Sequence, residues 1–241
     1  MIQGIFIFLI ILFAYSFFWF DFYFLKNNLK VFEKEFEKLS SKSDVIIIFN
    51  SGGWGTVSYK KAYDLNPFLK CIKNHFKKKN LKVSVIQYFR TEDHLIGKLG
   101  YLKDYAYNFE KQAKEIAKII SKTKKKVVLL GLSNGALIVD EIMERVKKKN
   151  VFSIELGKPF FGIHSKNKNI LLINDYEDDL SNGKKIALFK SIFVYAPINW
   201  VKSFFLGENL SLSKMVNVKG HNYPIEKHKE KVISFMEQKI I

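Results

Sequence analysis

The stretch that decides the fold runs from Lys126 to Val146 and reads KVVLLGLSNGALIVDEIMERV. Its first part is a short apolar run, typical of a strand buried on both faces, and its last part has helical spacing. Between them lies Gly131-Leu132-Ser133-Asn134-Gly135, a G-x-S-x-G sequence. A nucleophile on so sharp a turn needs small residues two before and two after it, because strand and helix otherwise clash. Ser133 is therefore the candidate nucleophile.

This strand–turn–helix resembles the nucleophile elbow of the α/β-hydrolase superfamily. The resemblance implies an α/β fold with a mostly parallel sheet flanked by helices. It also implies that nucleophile, acid and histidine follow one another in that order along the chain. The chemistry implied is two-step acyl transfer, in which the serine attacks a carbonyl carbon, the histidine takes its proton and water releases the acyl group. Such a reaction needs neither a metal nor an organic cofactor.

The chain after Asp44 alternates between apolar runs and helical patterns, which predicts a parallel sheet with helices on both faces. Ligands in such sheets bind beyond the C-terminal ends of the strands, so the loops there are where chemistry is expected. The predicted strands are 45–49, 81–88, 126–130, 170–174 and 215–218. The predicted helices are 62–79, 103–121, 136–148 and 225–241.

A glycine-rich segment, Asn50-Ser51-Gly52-Gly53-Trp54-Gly55, follows the first predicted strand. Acyl transfer needs backbone N–H donors aimed at the oxygen of the tetrahedral intermediate, and glycines let the backbone approach that oxygen. The segment resembles the HGGGW loop of the hormone-sensitive-lipase branch, with Asn50 and Ser51 in place of the histidine and the first glycine. The resemblance implies an oxyanion hole formed by the N–H groups of Gly52, Gly53 and Asn134.

Five histidines are candidates for the general base: His75, His94, His164, His221 and His228. His221 lies in a loop between the last predicted strand and the last predicted helix, as the final histidine of the superfamily does. His75 and His228 lie in lysine-rich helical stretches, which favours solvated side chains. His94 and His164 precede the acidic segment and break the expected order. His221 is the predicted base.

The acid is expected directly after the predicted strand 170–174, where the chain reads Asn174-Asp175-Tyr176-Glu177-Asp178-Asp179. Similar hydrolases carry a G-x-x-D turn at this point, and laying that turn on the sequence puts Asp178 at the aspartate. Asp175 and Asp179 are the alternatives. Grouped carboxylates also suit hard cations, so a metal site is the competing interpretation of this cluster.

The first 25 residues predict a membrane anchor, because they are almost wholly apolar and about 20 such residues span a bilayer. A cleaved signal peptide would have a basic start, a shorter apolar run and a small-x-small cleavage site, and none of these is present. Residues 26–43 predict an amphipathic linker helix whose apolar face carries Leu29, Phe32, Phe36 and Leu39. Residues 44–241 would form the hydrolase domain.

The chain carries a net charge of +17, which suits an anionic lipid surface better than nucleic acid, because its lysines are scattered and no nucleic-acid-binding motif is found. Lys26 and Lys30 follow the apolar segment, so the positive-inside tendency favours a cytoplasmic domain on a single-pass anchor. The single cysteine, Cys71, excludes an intramolecular disulfide.

The apolar stretch from Ile186 to Leu206 lies between the predicted acid and base. As a functional feature, this stretch would line an acyl pocket or rest on the bilayer as part of a lid. The alternative is a helix that covers the sheet and belongs to the core. A carboxylic ester, from a lipid or another small acyl compound, is the expected substrate. Amide or thioester cleavage and acyl transfer would use the same triad, and a silent membrane-anchored binding module is the alternative outside enzymes.

Overall fold

Five parallel strands form one sheet in the computed structural model, which describes residues 2–162, 165–206 and 218–240. The strands are β1 (Val45–Asn50), β2 (Val83–Gln87), β3 (Lys126–Leu132), β4 (Val151–Leu156) and β5 (Ile170–Ile173). Their order in the sheet is β2-β1-β3-β4-β5. The helices are α1 (Ile2–Trp19), α2 (Leu25–Ser40), α3 (Asn66–Lys78), α4 (Leu95–Ala106), α5 (Glu110–Ser121), α6 (Asn134–Arg145), α7 (Lys185–Lys190), α8 (Ala196–Leu206) and α9 (Ile225–Phe235).

The predicted fold class is confirmed: the sheet is parallel, helices flank it, and one apolar helix precedes it. Apolar side chains of one sheet face pack with α2, α5 and α6, and those of the other face pack with α3 and α9. Strand β3 lies at the centre of the sheet, where Asn50 of β1 pairs with Gly131 and Leu156 of β4 pairs with Leu132. This register brings the loops after β1, β3 and β4 to one edge.

Two predictions about elements were wrong or incomplete. The single helix predicted for 103–121 is divided into α4 and α5, because Asn108 and Phe109 take left-handed conformations with φ of 51° and 60°. Phe109 is fully buried in the core, and this packing supports a conformation that bulky residues rarely adopt. Strand β4 was not predicted, because Ser153 and Glu155 interrupt its apolar pattern. The predicted strand 215–218 lies mostly outside the described residues, which resume at Val218.

The N-terminal helices form one continuous helix, in which a π-helical segment (Phe20–Phe24) joins α1 to α2. The helix Gly4–Ser40 is long and apolar enough to cross a membrane, and most of its apolar part is exposed. In α2, Phe32 and Phe36 are buried in the core and Leu29 and Leu39 pack against it, so the predicted apolar face contacts the domain. The division into anchor, linker and domain stays a prediction.

The end of the apolar helix packs directly on α4. Phe20 is fully buried, and a Cβ atom at Gly100 would lie 2.4 Å from the Cβ of Phe20, so only glycine permits this close approach. Asp21 forms ion pairs with Lys103 and, at 3.6 Å, with Lys111. The domain therefore holds the base of the apolar helix through both packing and charge.

A buried charged cluster joins α6 to the loop after β4. The Nζ atom of Lys158 lies 2.9 Å from Oδ2 of Asp140 and 3.8 Å from Oε2 of Glu155. The hydroxyl of Ser153 donates to Oε1 of Glu155 at 2.7 Å. Burial and the neighbouring Asp140 carboxylate raise the pKa of Glu155 to about 8, although Lys158 opposes the shift. The folded chain therefore holds a proton on Glu155 at a pH where the unfolded chain does not.

This raised pKa predicts a stability that falls with rising pH. Between about pH 4.3, the ordinary glutamate pKa, and about pH 8, the folded chain binds one more proton at Glu155 than the unfolded chain does. Stability therefore decreases across this window. Glu155→Gln keeps the acceptor for Ser153 and removes the titration. We expect thermal unfolding of this variant above pH 8 to occur at a higher temperature than that of the parent chain. An unchanged pH slope would contradict the assignment.

Candidate active site

Ser133 occupies a strained turn between β3 and α6. Its backbone angles are φ 54° and ψ −122°, a region that residues with side chains rarely adopt. The N–H of Ser133 donates to the carbonyl oxygen of Leu156 at 2.9 Å, which ties the turn to the end of β4. The turn thus ends the central strand and begins a helix within one residue, as the G-x-S-x-G sequence predicts.

The two flanking glycines are required by close backbone packing. A Cβ atom at Gly131 would lie 2.4 Å from the carbonyl oxygen of Gly135, and one at Gly135 would lie 2.2 Å from the carbonyl oxygen of Asn50. Both obstacles are backbone atoms, which cannot turn aside as a side chain can. Any larger residue would therefore push α6 away from β3 or from the loop after β1.

The loop after β1, residues 51–55, lies beside Ser133. A Cβ atom at Gly52 would lie 3.6 Å from the Cβ of Ser133, so Gly52 is a direct neighbour of the candidate nucleophile. Asn134 is the first residue of α6, and the first N–H groups of a helix have no partner within it. Gly53 takes φ of 57°, and its carbonyl oxygen is the acceptor of several side chains. The three predicted oxyanion residues are thus brought to one place.

A buried arginine, which the sequence analysis did not identify, fixes this loop. Arg90 is fully buried, and its Nη2 atom donates to the carbonyl oxygens of Ser51 at 2.7 Å and Gly53 at 2.8 Å. Burial lowers the pKa of Arg90, but an arginine keeps its proton in proteins. By binding the carbonyl groups from one side, the guanidinium sets the direction of the peptide planes and of their N–H groups.

Aromatic and glycine residues form the pocket of Arg90. Its guanidinium carbon lies 5.9 Å from the ring centre of Tyr101 and 5.6 Å from that of Phe109. A Cβ atom at Gly55 would lie 2.5 Å from Nε of Arg90. The hydroxyl of Tyr101 donates to the carbonyl oxygen of Gly53 at 2.9 Å. The sequence contained one indication that Arg90 lies near the site. The residue follows the end of β2, at the same sheet edge as the other loops.

His221 and Asp178 form a hydrogen-bonded pair, with Nδ1 of His221 2.8 Å from Oδ2 of Asp178. Asp178 is fully buried, and its Oδ1 atom accepts from the N–H of Leu180 at 2.9 Å. Burial alone would raise the pKa of Asp178, but the hydrogen bonds from His221 and Tyr223 outweigh it and lower the pKa to about 2. Asp178 is therefore an anion at neutral pH.

Tyr223 is a second partner of this carboxylate that the sequence analysis missed. Its hydroxyl donates to Oδ2 of Asp178, the same oxygen that His221 contacts. Burial, together with this hydrogen bond, raises the pKa of Tyr223, so the phenol stays a donor. Gly220 allows the approach of the two loops, since a Cβ atom there would lie 2.2 Å from the carbonyl oxygen of Glu177. In the sequence, the only indication that Tyr223 binds Asp178 was its position two residues after His221.

Ser133 and His221 both lie beside the end of β4. Leu156 accepts the N–H of Ser133, and a Cβ atom at the next residue, Gly157, would lie 2.8 Å from Cε1 of His221. The Nε2 atom of His221 is buried and has no hydrogen-bond partner among the described residues, so it does not accept from Ser133 here. Catalytic hydrogen bonds are often long without substrate and shorten when it binds.

The other candidate acids and bases are engaged elsewhere. Asp175 pairs with Lys227 at 3.0 Å and lies 3.6 Å from His228, and Asp179 pairs with Lys184 at 2.9 Å. The carboxylates of the acidic segment therefore point to different partners. Among the described residues, no group of three or more His, Cys, Asp or Glu side chains could hold a metal ion.

The other histidines that the structure describes are separate from the Asp178 pair. His94 caps the N-terminus of α4, where its Nδ1 accepts from the N–H of Gly97 at 3.1 Å. His75 lies 3.9 Å from Glu237 near the end of the chain. His164 lies outside the described residues.

No protein-family model matches the sequence, and no curated protein matches it. Several solved structures are similar in fold. A cutinase from Trichoderma reesei, in complex with a C11Y4 phosphonate inhibitor, is 12% identical with a TM-score of 0.44, and the match covers 90% of each chain. A candidate hydrolase of the alpha/beta superfamily from Xanthomonas campestris pv. campestris is 12% identical with a TM-score of 0.40, covering 80% of this chain and 95% of the other.

A third similar structure is a candidate YdeN-like hydrolase from Pectobacterium atrosepticum, which is 10% identical with a TM-score of 0.38 and is matched over 87% of this chain and 99% of its own. All three are described as hydrolases or as a cutinase.

The contacts of Arg90 predict a positioning role that lysine cannot fill. In Arg90→Lys the charge stays, but the planar group that packs against Tyr101 and Phe109 and fixes the position of Nη2, which donates to both carbonyl oxygens, is lost. Since a misplacement of about 1 Å can cost roughly 100-fold in rate, we expect kcat for a soluble ester to fall about ten- to a hundredfold with little change in KM. Arg145→Lys, at the other arginine of the chain, is the matched control. Equal kcat values for the two variants would refute the role.

Proposed function

We propose that this chain is a serine hydrolase that cleaves a carboxylic ester through Ser133, His221 and Asp178. One observation carries the proposal: Ser133 stands on a left-handed turn between two glycines that admit no side chain, at the sheet edge that also holds a hydrogen-bonded imidazole–carboxylate pair whose carboxylate is buried. Strained backbone at such a turn persists only where the surroundings impose it, and it is frequent at active sites. A tight turn alone would need no such pair at the same edge of the sheet.

In the proposed mechanism, Oγ of Ser133 attacks the carbonyl carbon of the ester while Nε2 of His221 takes the proton. Asp178, an anion bound to Nδ1, holds the ring in the required tautomer and stabilises its positive form. The protonated ring then gives its proton to the leaving alcohol. Water attacks the acyl-enzyme, again with His221 as base, and the acid product leaves.

The oxyanion of each tetrahedral intermediate would be bound by the N–H groups of Asn134 and of the loop at Gly52 and Gly53. The position of Asn134 at the start of α6 adds the favourable field of the helix N-terminus. Donors that are already fixed cost no reorganisation during the reaction. Arg90 and Tyr101 support this role because they bind the opposite, carbonyl side of the loop.

Amide or thioester cleavage, or transfer to an acceptor other than water, would use the same residues. A membrane-anchored binding module without catalytic activity is the alternative outside enzymes.

We further propose that the chain is a single-pass membrane protein with its domain on the cytoplasmic side, where Lys26 and Lys30 follow the anchor. The positive net charge would favour an anionic lipid surface, and no nucleic-acid partner is expected.

A fluorophosphonate probe tests the nucleophile directly. We expect covalent labelling of the parent chain and loss of labelling in Ser133→Ala, because the probe reacts with an activated serine hydroxyl. Ser181→Ala, at another partly buried serine near the site, is the matched control and should retain labelling. Labelling of neither the parent nor the control would indicate the binding module. Equal labelling of Ser133→Ala would place the nucleophile at another residue.

The role of Asp178 predicts a large effect from a small change. Asp178→Asn keeps the size of the side chain but removes the charge and favours the wrong tautomer of His221. We expect kcat for a p-nitrophenyl ester to fall by about 10⁴. Asp175→Asn, which lies three residues away and pairs with Lys227, is the matched control and should stay near the parent value. A larger loss in the control would make Asp175 the acid.

A further inference from the structure

We propose that the segment from Lys185 to Leu206 rests on the bilayer that holds α1, and that the site takes a lipid ester from that bilayer. We call this segment, which comprises α7, the π-helical turn Ser191–Tyr195 and α8, the surface helix. The proposal rests on the proposed function for its chemistry. Its structural part, contact with the membrane, is independent of catalysis.

The first observation is the short path from the apolar N-terminal helix to the nucleophile. Phe20 packs against Gly100 of α4, and the next residue, Tyr101, donates to the carbonyl oxygen of Gly53. The amide of Asn134, the neighbour of Ser133, lies 3.3 Å from the same tyrosine oxygen. Two layers of side chains therefore separate the base of the membrane helix from the candidate site, which places the site on the membrane-proximal side of the domain.

The second observation is the apolar exposure of the surface helix. Ile186 is 77% exposed, Phe189 59% and Phe193 64%, and Val194, Tyr195, Ile198 and Val201 are also exposed. Soluble monomers rarely expose so continuous an apolar surface unless it contacts a partner or a membrane. Of the two functions considered for this stretch, contact with the bilayer is favoured, and the expectation of a helix that covers the sheet does not hold for these side chains.

The charge of this segment favours an anionic bilayer as the occupant. From Leu180 to Leu206 the sequence contains four lysines and no acidic residue, whereas Asp and Glu are frequent elsewhere in the chain. Lys185, Lys190 and Lys202 alternate with the apolar residues, which is the pattern of a helix lying in the interface of an anionic membrane. Among the described residues, only the N-terminal helix meets the length and composition for crossing a membrane.

The third observation is a row of aromatic contacts that leads from Gly183, just before the surface helix, to α4. A Cβ atom at Gly183, just before the helix, would lie 3.1 Å from the ring of Phe160. The ring centres of Phe160 and Phe161 are 5.4 Å apart, and that of Phe161 is 5.8 Å from that of Tyr105 on α4. The chain just before the surface helix is thus linked to α4, on which the base of the anchor also packs, and an acyl chain leaving the bilayer would meet apolar side chains there.

Contact with the bilayer is tested by fluorescence on the full chain in nanodiscs of phosphatidylcholine and phosphatidylglycerol. Cys71→Ser removes the single native thiol, and Phe189→Cys or Val31→Cys then carries an environment-sensitive fluorophore. Val31 is exposed on α2, 12 residues or roughly 18 Å along the helix beyond Trp19. We expect a blue shift and quenching by spin-labelled lipid at position 189 and neither at position 31. Quenching at neither position, or equally at both, would overturn the proposal.

The source of the substrate is tested with two esters in the same nanodiscs. Phe189→Glu combined with Phe193→Glu should lower hydrolysis of a phospholipid ester in the disc by about tenfold or more, whereas hydrolysis of a water-soluble acetate ester should stay within about twofold. Val31→Glu is the control. Equal loss on both esters, or no loss on the lipid, would overturn the lipid assignment. Failure of the proposed function is distinguishable, because it would abolish activity on both esters in the parent chain while leaving the fluorescence result unchanged.

Discussion

The structure depends on one backbone contact, the crossing of the start of α6 over the ends of β1 and β3 at Ser133. With Gly131 and Gly135 in place, the backbone at Asn50 approaches the helix so closely that no Cβ atom would fit. That closeness forces Ser133 into its left-handed conformation and brings the loop after β1 beside it. The same crossing therefore sets the position of the candidate nucleophile and of its expected oxyanion donors.

Two buried ions hold the loops on either side of this turn. The guanidinium of Arg90 binds carbonyl oxygens of the loop after β1, and the carboxylate of Asp178 binds His221 and Tyr223. Burying a charge is costly unless it is well hydrogen-bonded, so each ion favours a single arrangement of its loop. In our account, the left-handed turn presents the hydroxyl, and the two ions orient the groups that would act on it.

The sequence predicted the parts that depend on local pattern. The turn at Ser133 could be predicted because strand, glycines and helix are adjacent in the chain. Asp178 was preferred to Asp175 and Asp179 from the spacing of residues within one turn. Arg90 and Tyr223 were missed, because their partners are backbone or carboxylate groups 37–45 residues away. The break at Phe109 was missed because burial of its ring, a tertiary effect, overrides helical periodicity.

The most direct test of the account is a crystal structure of the chain after reaction with a phosphonate. The account predicts phosphorus bonded to Oγ of Ser133, one phosphonyl oxygen about 2.7–3.1 Å from the N–H groups of Asn134 and the Gly52–Gly53 loop, and Nε2 of His221 in hydrogen-bond contact with another oxygen of the adduct. An adduct whose oxygens contact neither the imidazole nor the loop would contradict it.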